Sequence, residues 1–257
     1  MRRLLFLIFF CLCVLTLPVC FKRLTCGFKL IKMQLNIPFR QEWAVDHDIN
    51  VQEILSQRFK YLNRGAQSYV FKSLDDKYVV KFFRFDRMHK NQDKKINALF
   101  TACLLAFTKA KEETGILYVH LNQTQDQLPI MHLTGPLGQK ISLNPDEYRF
   151  VIQKKAISFQ EAMTHAEPEI VRKRLDSFIA LLQSRIRKGI RNTDHAVVRN
   201  FGFIGDKAVE IDFGNYSEKP TSNEDEFSQK TTTLHAWLRN NAAEWVEYFD
   251  NRIANNR

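Results

Sequence analysis

Glu210-Ile211-Asp212-Phe213-Gly214 is the stretch on which the fold turns. An apolar run, Ala208–Ile211, leads into an acidic residue, an aromatic and a glycine, the composition of a short strand ending in a tight turn. Asp194 stands eighteen residues before Asp212, within Asn192-Thr193-Asp194-His195-Ala196-Val197-Val198-Arg199-Asn200. Nearer the N-terminus, Tyr78-Val79-Val80-Lys81-Phe82 is rich in β-formers, and period-two alternation puts Val79 and Lys81 on one face. Before it, Asn63-Arg64-Gly65-Ala66-Gln67-Ser68-Tyr69-Val70 passes through small and turn-forming residues.

Taken in order, these four segments resemble the motifs of the protein-kinase family. The stretch Asn63–Val70 is similar to the glycine-rich loop G-x-G-x-x-G-x-V. Gly65 stands at its middle glycine, and Asn63 and Ser68 stand at the outer two. Tyr78–Phe82 resembles the strand that carries the V-A-I-K lysine. Asn192–Asn200 resembles the catalytic loop H-R-D-x-x-x-x-N, with Asn192 and Thr193 in place of its His and Arg. Its asparagine falls six residues after the aspartate instead of five. Asp212-Phe213-Gly214 matches the metal-binding tripeptide. The resemblance runs from Phe59 to Gly214.

The resemblance implies an α+β protein with a two-lobed kinase-like fold and a reduced helical C-lobe, binding ATP and Mg²⁺. Phosphoryl transfer needs phosphates held by backbone amides, a lysine on their charge, oxygen ligands on the metal and a carboxylate near the acceptor hydroxyl. On the family's pattern, Gly65, Ala66, Gln67, Ser68, Val79 and Lys81 surround the nucleotide. Asp212 and Asn200 hold the metal, and Asp194 joins Lys81 as catalytic. The competing reading of Asp194 is a turn cap, and His195 reads as a solvated loop residue. No glutamate lies midway along the first helix to pair with Lys81, no A-P-E follows Gly214, and 43 residues remain after it. That reduction resembles atypical members, including small bacterial kinases acting on lipopolysaccharide sugars at the membrane. The expected function is transfer of the ATP γ-phosphate to a protein or to a membrane-associated, lipid-linked or sugar hydroxyl. The alternative from the same family is a membrane-anchored pseudokinase that binds nucleotide or partners without catalysis. An unrelated tethered binding protein, with accidental motifs, is the third reading.

The formal charge of +10 is not spread evenly. Residues 1–40 hold seven basic side chains and no acidic one, which leaves the remainder at +3. The excess therefore sits beside an apolar run, where anionic lipid is a nearer counterpart than nucleic acid, and no nucleic-acid partner is expected. Four of five cysteines lie in the first 26 residues and Cys103 lies on an apolar helical face. A disulfide framework and zinc-ligand spacing are both excluded for the body of the chain.

Leu4 to Phe21 is an uncharged run of 18 residues, opened by Arg2-Arg3 and closed by Lys22-Arg23. That length reaches the lower limit for spanning a bilayer. With two basic residues before it and five after, an uncleaved signal-anchor with a cytoplasmic C-terminal domain is the expectation. Export after cleavage, and a true start at Met33 giving a soluble cytoplasmic chain, stay open.

The expected domains are 1–40 (signal-anchor or signal peptide with a basic flank), 41–155 (β-rich nucleotide-binding lobe) and 156–257 (reduced helical lobe). Val70–Leu74 and Tyr78–Phe82 read as a hairpin across Asp75-Asp76-Lys77. Apolar residues at 96, 99, 100, 103, 107 and 110 predict a helix that Gly115 stops. Strands are expected at Ile116–Leu121 and Tyr148–Ile152, and a helix from about Glu167 to Lys188. A hairpin of Val197–Phe203 with Ala208–Ile211, a polar loop Lys219–Gln229 and one amphipathic helix across Leu234–Ile253 complete the order.

Overall fold

The alternation of buried and exposed positions from Arg58 onward makes the first strands, and the rest of the chain adds helices around short sheets. In the computed structural model, residues 16–17, 22–86, 88, 90–164, 166–218 and 224–255 are described. The strands are β1 (Arg58–Arg64), β2 (Ser68–Ser73), β3 (Tyr78–Phe83), β4 (Ile116–His120), β5 (Met131–Thr134), β6 (Lys140–Leu143), β7 (Phe150–Lys154), β8 (Ile157–Ser158), β9 (Ile190–Asn192), β10 (Phe201–Ile204), β11 (Lys207–Glu210) and β12 (Tyr216–Glu218). The helices are α1 (Val51–Ser56), α2 (Gln92–Thr108), α3 (Lys111–Thr114), α4 (Phe159–Met163), α5 (Pro168–Arg187), α6 (Val197–Asn200), α7 (Glu224–Asn241) and α8 (Val246–Ala254). The architecture is α+β. The apolar run Leu4–Phe21 lies outside the described residues except for positions 16–17, and no helix among the described residues is long and apolar enough to cross a membrane.

Contacts group the chain into two units. The first holds the residues up to Pro38 together with Asn50–Arg87 and Asn122–Phe150. Its strands neighbour one another in the order β3-β2-β1-β5-β6, with β1 and β5 parallel and the other pairs antiparallel. The β2–β3 hairpin forms as its turn cluster predicts, in the register Val70↔Lys81 and Lys72↔Val79. The β5–β6 hairpin was not expected. Its strands are only four residues each, and Gly135 and Pro136 open the turn between them.

One face of this sheet is covered by the segment that follows the apolar run. Phe28 sets its ring edge-on against Tyr61, Tyr69 and Phe71, with centroids 5.9, 5.0 and 5.7 Å away. Tyr69 donates its hydroxyl to Gly27 O at 2.7 Å. Arg149, 1% exposed, donates to Leu35 O and Ile37 O at 2.8 and 2.9 Å. A chain begun at Met33 would lack Phe28 and Gly27, and one begun at residue 41 would also lack the two carbonyls to which Arg149 donates.

The second unit holds Phe39–Ile49, Met88–Leu121 and Val151–Arg257. Helix α2 buries Ile96, Leu99, Phe100, Cys103 and Phe107 as their spacing predicts. It ends at Thr108 rather than at Gly115, because the Ala110 N–H turns back to the Leu105 and Ala106 carbonyls and closes it early. Gly115, at φ +64°, instead caps the short α3. Helix α5 starts at Pro168 and ends at Arg187, within a residue of its expected limits, and packs Val171, Leu175, Phe178, Ile179 and Leu182 into the core with Phe159, Phe201 and Leu234.

Three expectations fail here for local reasons. Val197–Asn200 is a helical turn, not strand, because Asp194 Oδ1 accepts the Ala196 N–H and starts a turn before the β-branched pair. The strand begins only at Phe201, and Gly202 is required there because a Cβ would lie 2.4 Å from Ile157 O on β8. Residues 224–229, read as polar loop, are the first turns of α7, whose Glu226 is buried by ionic partners. Lastly, the expected single C-terminal helix breaks at Ala242, at φ −159°, before resuming as α8.

Candidate functional site

The first unit carries the sequence-predicted nucleotide residues. The β1–β2 loop is closed by Gly65 N–H donating to Ser68 O at 2.9 Å. Directly opposed strand residues share a face, so Val70 and Lys81 lie together with Lys72 and Val79. That face offers two apolar side chains and a half-buried lysine beside the loop. A Cβ on Gly65 would meet only Ser68 atoms at 3.6 Å or more, so the fold itself does not demand glycine there. Leu62 belongs to the same surface as a residue the motif reading missed. It sits in the β1 irregularity between Tyr61 and Asn63 and is 46% exposed. The signal was present: it is an apolar residue in a polar strand, directly before the loop.

The second unit brings Asp194, Asn200 and Asp212 together. Asn192 links the two aspartates: its Oδ1 accepts the Asp194 N–H at 2.9 Å, and its Nδ2 donates to Asp212 O at 3.2 Å and to Glu210 Oε1 at 2.7 Å. The Asn200 carbonyl accepts the N–H groups of Ile211 and Asp212 at 2.7 and 3.3 Å. Asp194 does cap a turn through Ala196, as its competing reading held, and it does so inside this assembly. Burial alone would raise the Asp194 carboxyl. The Ala196 N–H, the nearby Asn200 amide and the charges of Lys230 and Arg199 outweigh it and hold the group below the ordinary carboxylate value. Asn200 is 4% exposed, and its Nδ2 has no acceptor at hydrogen-bonding distance among the described residues. The Asp212 carboxylate is exposed, with Oδ1 accepting the Gly214 N–H at 3.3 Å. His195 is exposed, as expected.

A carboxylate and an amide oxygen are the hard donors that Mg²⁺ takes when phosphates complete its shell. Asp212 fits that demand, since its carboxylate is open to ligand. Asn200 brings an amide oxygen on a buried side chain, and its unpartnered atom, Nδ2, is a hydrogen-bond donor and not a metal ligand. Among the described residues no group of three or more His, Cys, Asp or Glu side chains is arranged to hold a metal by itself.

The motif reading missed the charges beneath this loop. Arg185, 0% exposed, pairs with Glu210 at 3.1 Å and Glu226 at 2.7 Å. Tyr216 donates its hydroxyl to Glu210 Oε2 at 2.7 Å, and the Asn192 N–H donates to Glu226 at 3.1 Å. Lys230, also fully buried, donates to the Asp194 carbonyl. Two cations and two anions thus cancel inside the core. Burial works against the Arg185 charge, but Glu210, Tyr216 and Glu226 more than offset it and raise its pKa. Burial lowers Lys230. Glu112 and Glu113, the late acids of the first helical region, are engaged by Lys207 and Lys188 respectively.

No family model matches the chain, and no curated protein matches it. Among solved structures, the crystal structure of WbdD aligns at a TM-score of 0.40 and 16% identity, over 69% of this chain. The chain spans 35% of the length of that protein.

Proposed function

We propose that the chain is an atypical, two-lobed kinase-like phosphotransferase that moves the ATP γ-phosphate to a hydroxyl, on a protein or on a membrane-associated lipid-linked or sugar acceptor. The observation that carries this reading is the assembly of Asp194, Asn200 and Asp212 around Asn192. Three residues picked for one chemistry by their order in the sequence meet through shared hydrogen bonds. Asp194 kept ionised near neutral pH can accept a hydrogen bond from an acceptor hydroxyl. A weakly basic carboxylate suffices, because phosphoryl transfer relies on positioning and charge stabilisation more than on base strength. Asp212 and Asn200 would hold a bound Mg²⁺, which would supply positive charge to the phosphates. Lys81, Gly65, Ala66, Gln67, Ser68, Val79 and Leu62 would line the nucleotide.

The pseudokinase alternative draws support from one feature, the six-residue step from Asp194 to Asn200, which the catalytic-loop pattern lacks. The kinase reading requires nucleotide, whereas the pseudokinase reading takes nucleotide or partners without catalysis. Full-length protein in detergent should gain thermal stability with Mg-ATP, by about 2.7 kcal/mol at a hundred times the dissociation constant. A folded sample whose melting temperature ignores millimolar Mg-ATP would rule out the kinase reading and any nucleotide-binding pseudokinase, leaving only a partner-binding one.

The same proposal places the protein in a membrane through residues 4–21, with the folded units on the cytoplasmic side where ATP is found. The charge bias after Phe21 supports it. Protease added to intact cells should leave the folded units uncut, and their digestion would reverse the orientation.

A further inference from the structure

The glycine-poor loop Gly65–Ser68 needs something to fix it, and Arg84 is the side chain placed to do so. Arg84 is 3% exposed. Its guanidinium grips Asp86 with two contacts, Nε to Oδ1 at 3.2 Å and Nη2 to Oδ2 at 2.9 Å. Nη1 donates to Gly65 O at 3.3 Å, and the Arg84 backbone N–H donates to Gln67 O at 2.7 Å. The planar group lies over the Tyr69 ring, 4.8 Å from its centroid. Tyr69 opposes Phe82, the neighbour of Lys81, so Arg84 reaches the loop from the face opposite Lys81.

Peptide geometry turns this grip into a statement about donors. In a planar trans peptide the C=O of one residue and the N–H of the next point in opposite directions. The guanidinium holds the Gly65 carbonyl, so the Ala66 N–H points away from it. The Gln67 carbonyl is held in the plane of the sheet by the Arg84 main chain. A loop whose oxygens are turned back and whose amides are turned out is suited to an anion. The grip extends to the N-terminal cover. Lys32 pairs with Asp86 at 3.4 Å and donates to Gly27 O at 3.1 Å, and Phe85 N–H donates to Lys32 O at 2.8 Å.

We infer that Arg84 is a positioning residue for phosphate binding, holding the loop from behind through the Gly65 carbonyl so that the Ala66 amide meets the nucleotide's phosphates, with Asp86 and Lys32 setting its orientation. This rests on the nucleotide-binding reading above. It extends that reading to a residue outside the four motifs and to the segment just after the apolar run.

The test separates phosphate from nucleoside. Full-length protein in detergent is titrated with Mg-ATP and with adenosine, for wild type, Arg84→Met and Arg84→Lys. Arg84→Met should weaken Mg-ATP by tenfold or more while adenosine stays within twofold. Arg84→Lys keeps the charge but not the fork, and should fall between. Amide exchange in the 65–68 loop should speed up in Arg84→Met, with the β2–β3 hairpin unchanged. Equal weakening of adenosine and Mg-ATP would reduce Arg84 to general packing and overturn the inference, as would unchanged Mg-ATP affinity. If Arg84→Met does not fold, Arg84→Lys decides by the same split. Wild type that binds neither ligand overturns the nucleotide reading and this inference together. Wild type that binds both, with variants that match it, overturns this inference alone.

Discussion

Arg185→Met is expected to destabilise the second unit by about 4 kcal/mol, the usual cost of breaking a buried ion pair by removing one partner. Methionine keeps most of the length and packing of the side chain, so the loss reports charge rather than a cavity. Glu210 would retain its hydrogen bonds from Asn192 and Tyr216, but Glu226 would lose its shortest partner. Lys230 alone would then face two buried carboxylates. The desolvation cost of those carboxylates remains in the folded state while their main counter-charge is gone, and that imbalance decides the sign. Arg185→Met with Glu210→Gln removes one charge of each sign, and should recover at least about 1 kcal/mol of the loss. All three tryptophans, Trp43, Trp237 and Trp245, belong to this unit, so their fluorescence in urea reads its unfolding. A loss under about 1 kcal/mol for the single variant would mean that Arg185 does not neutralise the cluster.

That network also accounts for how the loop stands without the His-Arg pair of the family's pattern. Asn192 ties the loop to Glu210 and Glu226, and Lys230 ties it to α7. Charges on α5, β11 and α7 therefore meet at one short segment. The sequence pattern could not expose this. Arg185, Glu210 and Glu226 are charged residues that read as solvent-facing, and only tertiary pairing buries them. The same physics hid the start of α7, because a window from Lys219 to Gln229 is polar whether or not one of its acids is buried.

Elements governed by neighbours in the chain were readable. The β2–β3 hairpin follows from alternation and its Asp-Asp-Lys turn, and α5 from apolar spacing with Pro168 in its first turn. Elements governed by distant partners were not. Val197-Val198 favours strand by propensity, yet the turn set by Asp194 overrides it. Phe28 looked like part of a basic flank, and its role appears only against Tyr61, Tyr69 and Phe71, more than thirty positions away. For the candidate site, motif order named Asp194, Asn200 and Asp212, whereas the bonds made by Asn192 and the place of Arg84 needed geometry.

Chemistry separates the remaining readings, through two aspartates with different duties. On the proposed reading, Asp212→Ala should abolish Mg²⁺-dependent nucleotide binding and turnover together, because its exposed carboxylate would be the group that holds the metal. Asp194→Asn should leave nucleotide affinity nearly unchanged and cut turnover by on the order of a hundredfold or more. Asparagine suits this position as a probe. It keeps an oxygen to accept the Ala196 N–H, so the turn that Asp194 caps should survive, and only the negative charge is lost. Asn200→Ala should fall between the two, since water can replace part of a metal contact while the backbone carbonyl of residue 200 still bonds Ile211 and Asp212. ATP turnover and autophosphorylation, measured beside nucleotide affinity on the same samples, give the answer. Turnover that is the same in wild type and Asp194→Asn would remove Asp194 from catalysis. Firm nucleotide binding alongside that result would establish the pseudokinase reading instead, with the Asn192-centred assembly serving to hold a nucleotide rather than to transfer its phosphate.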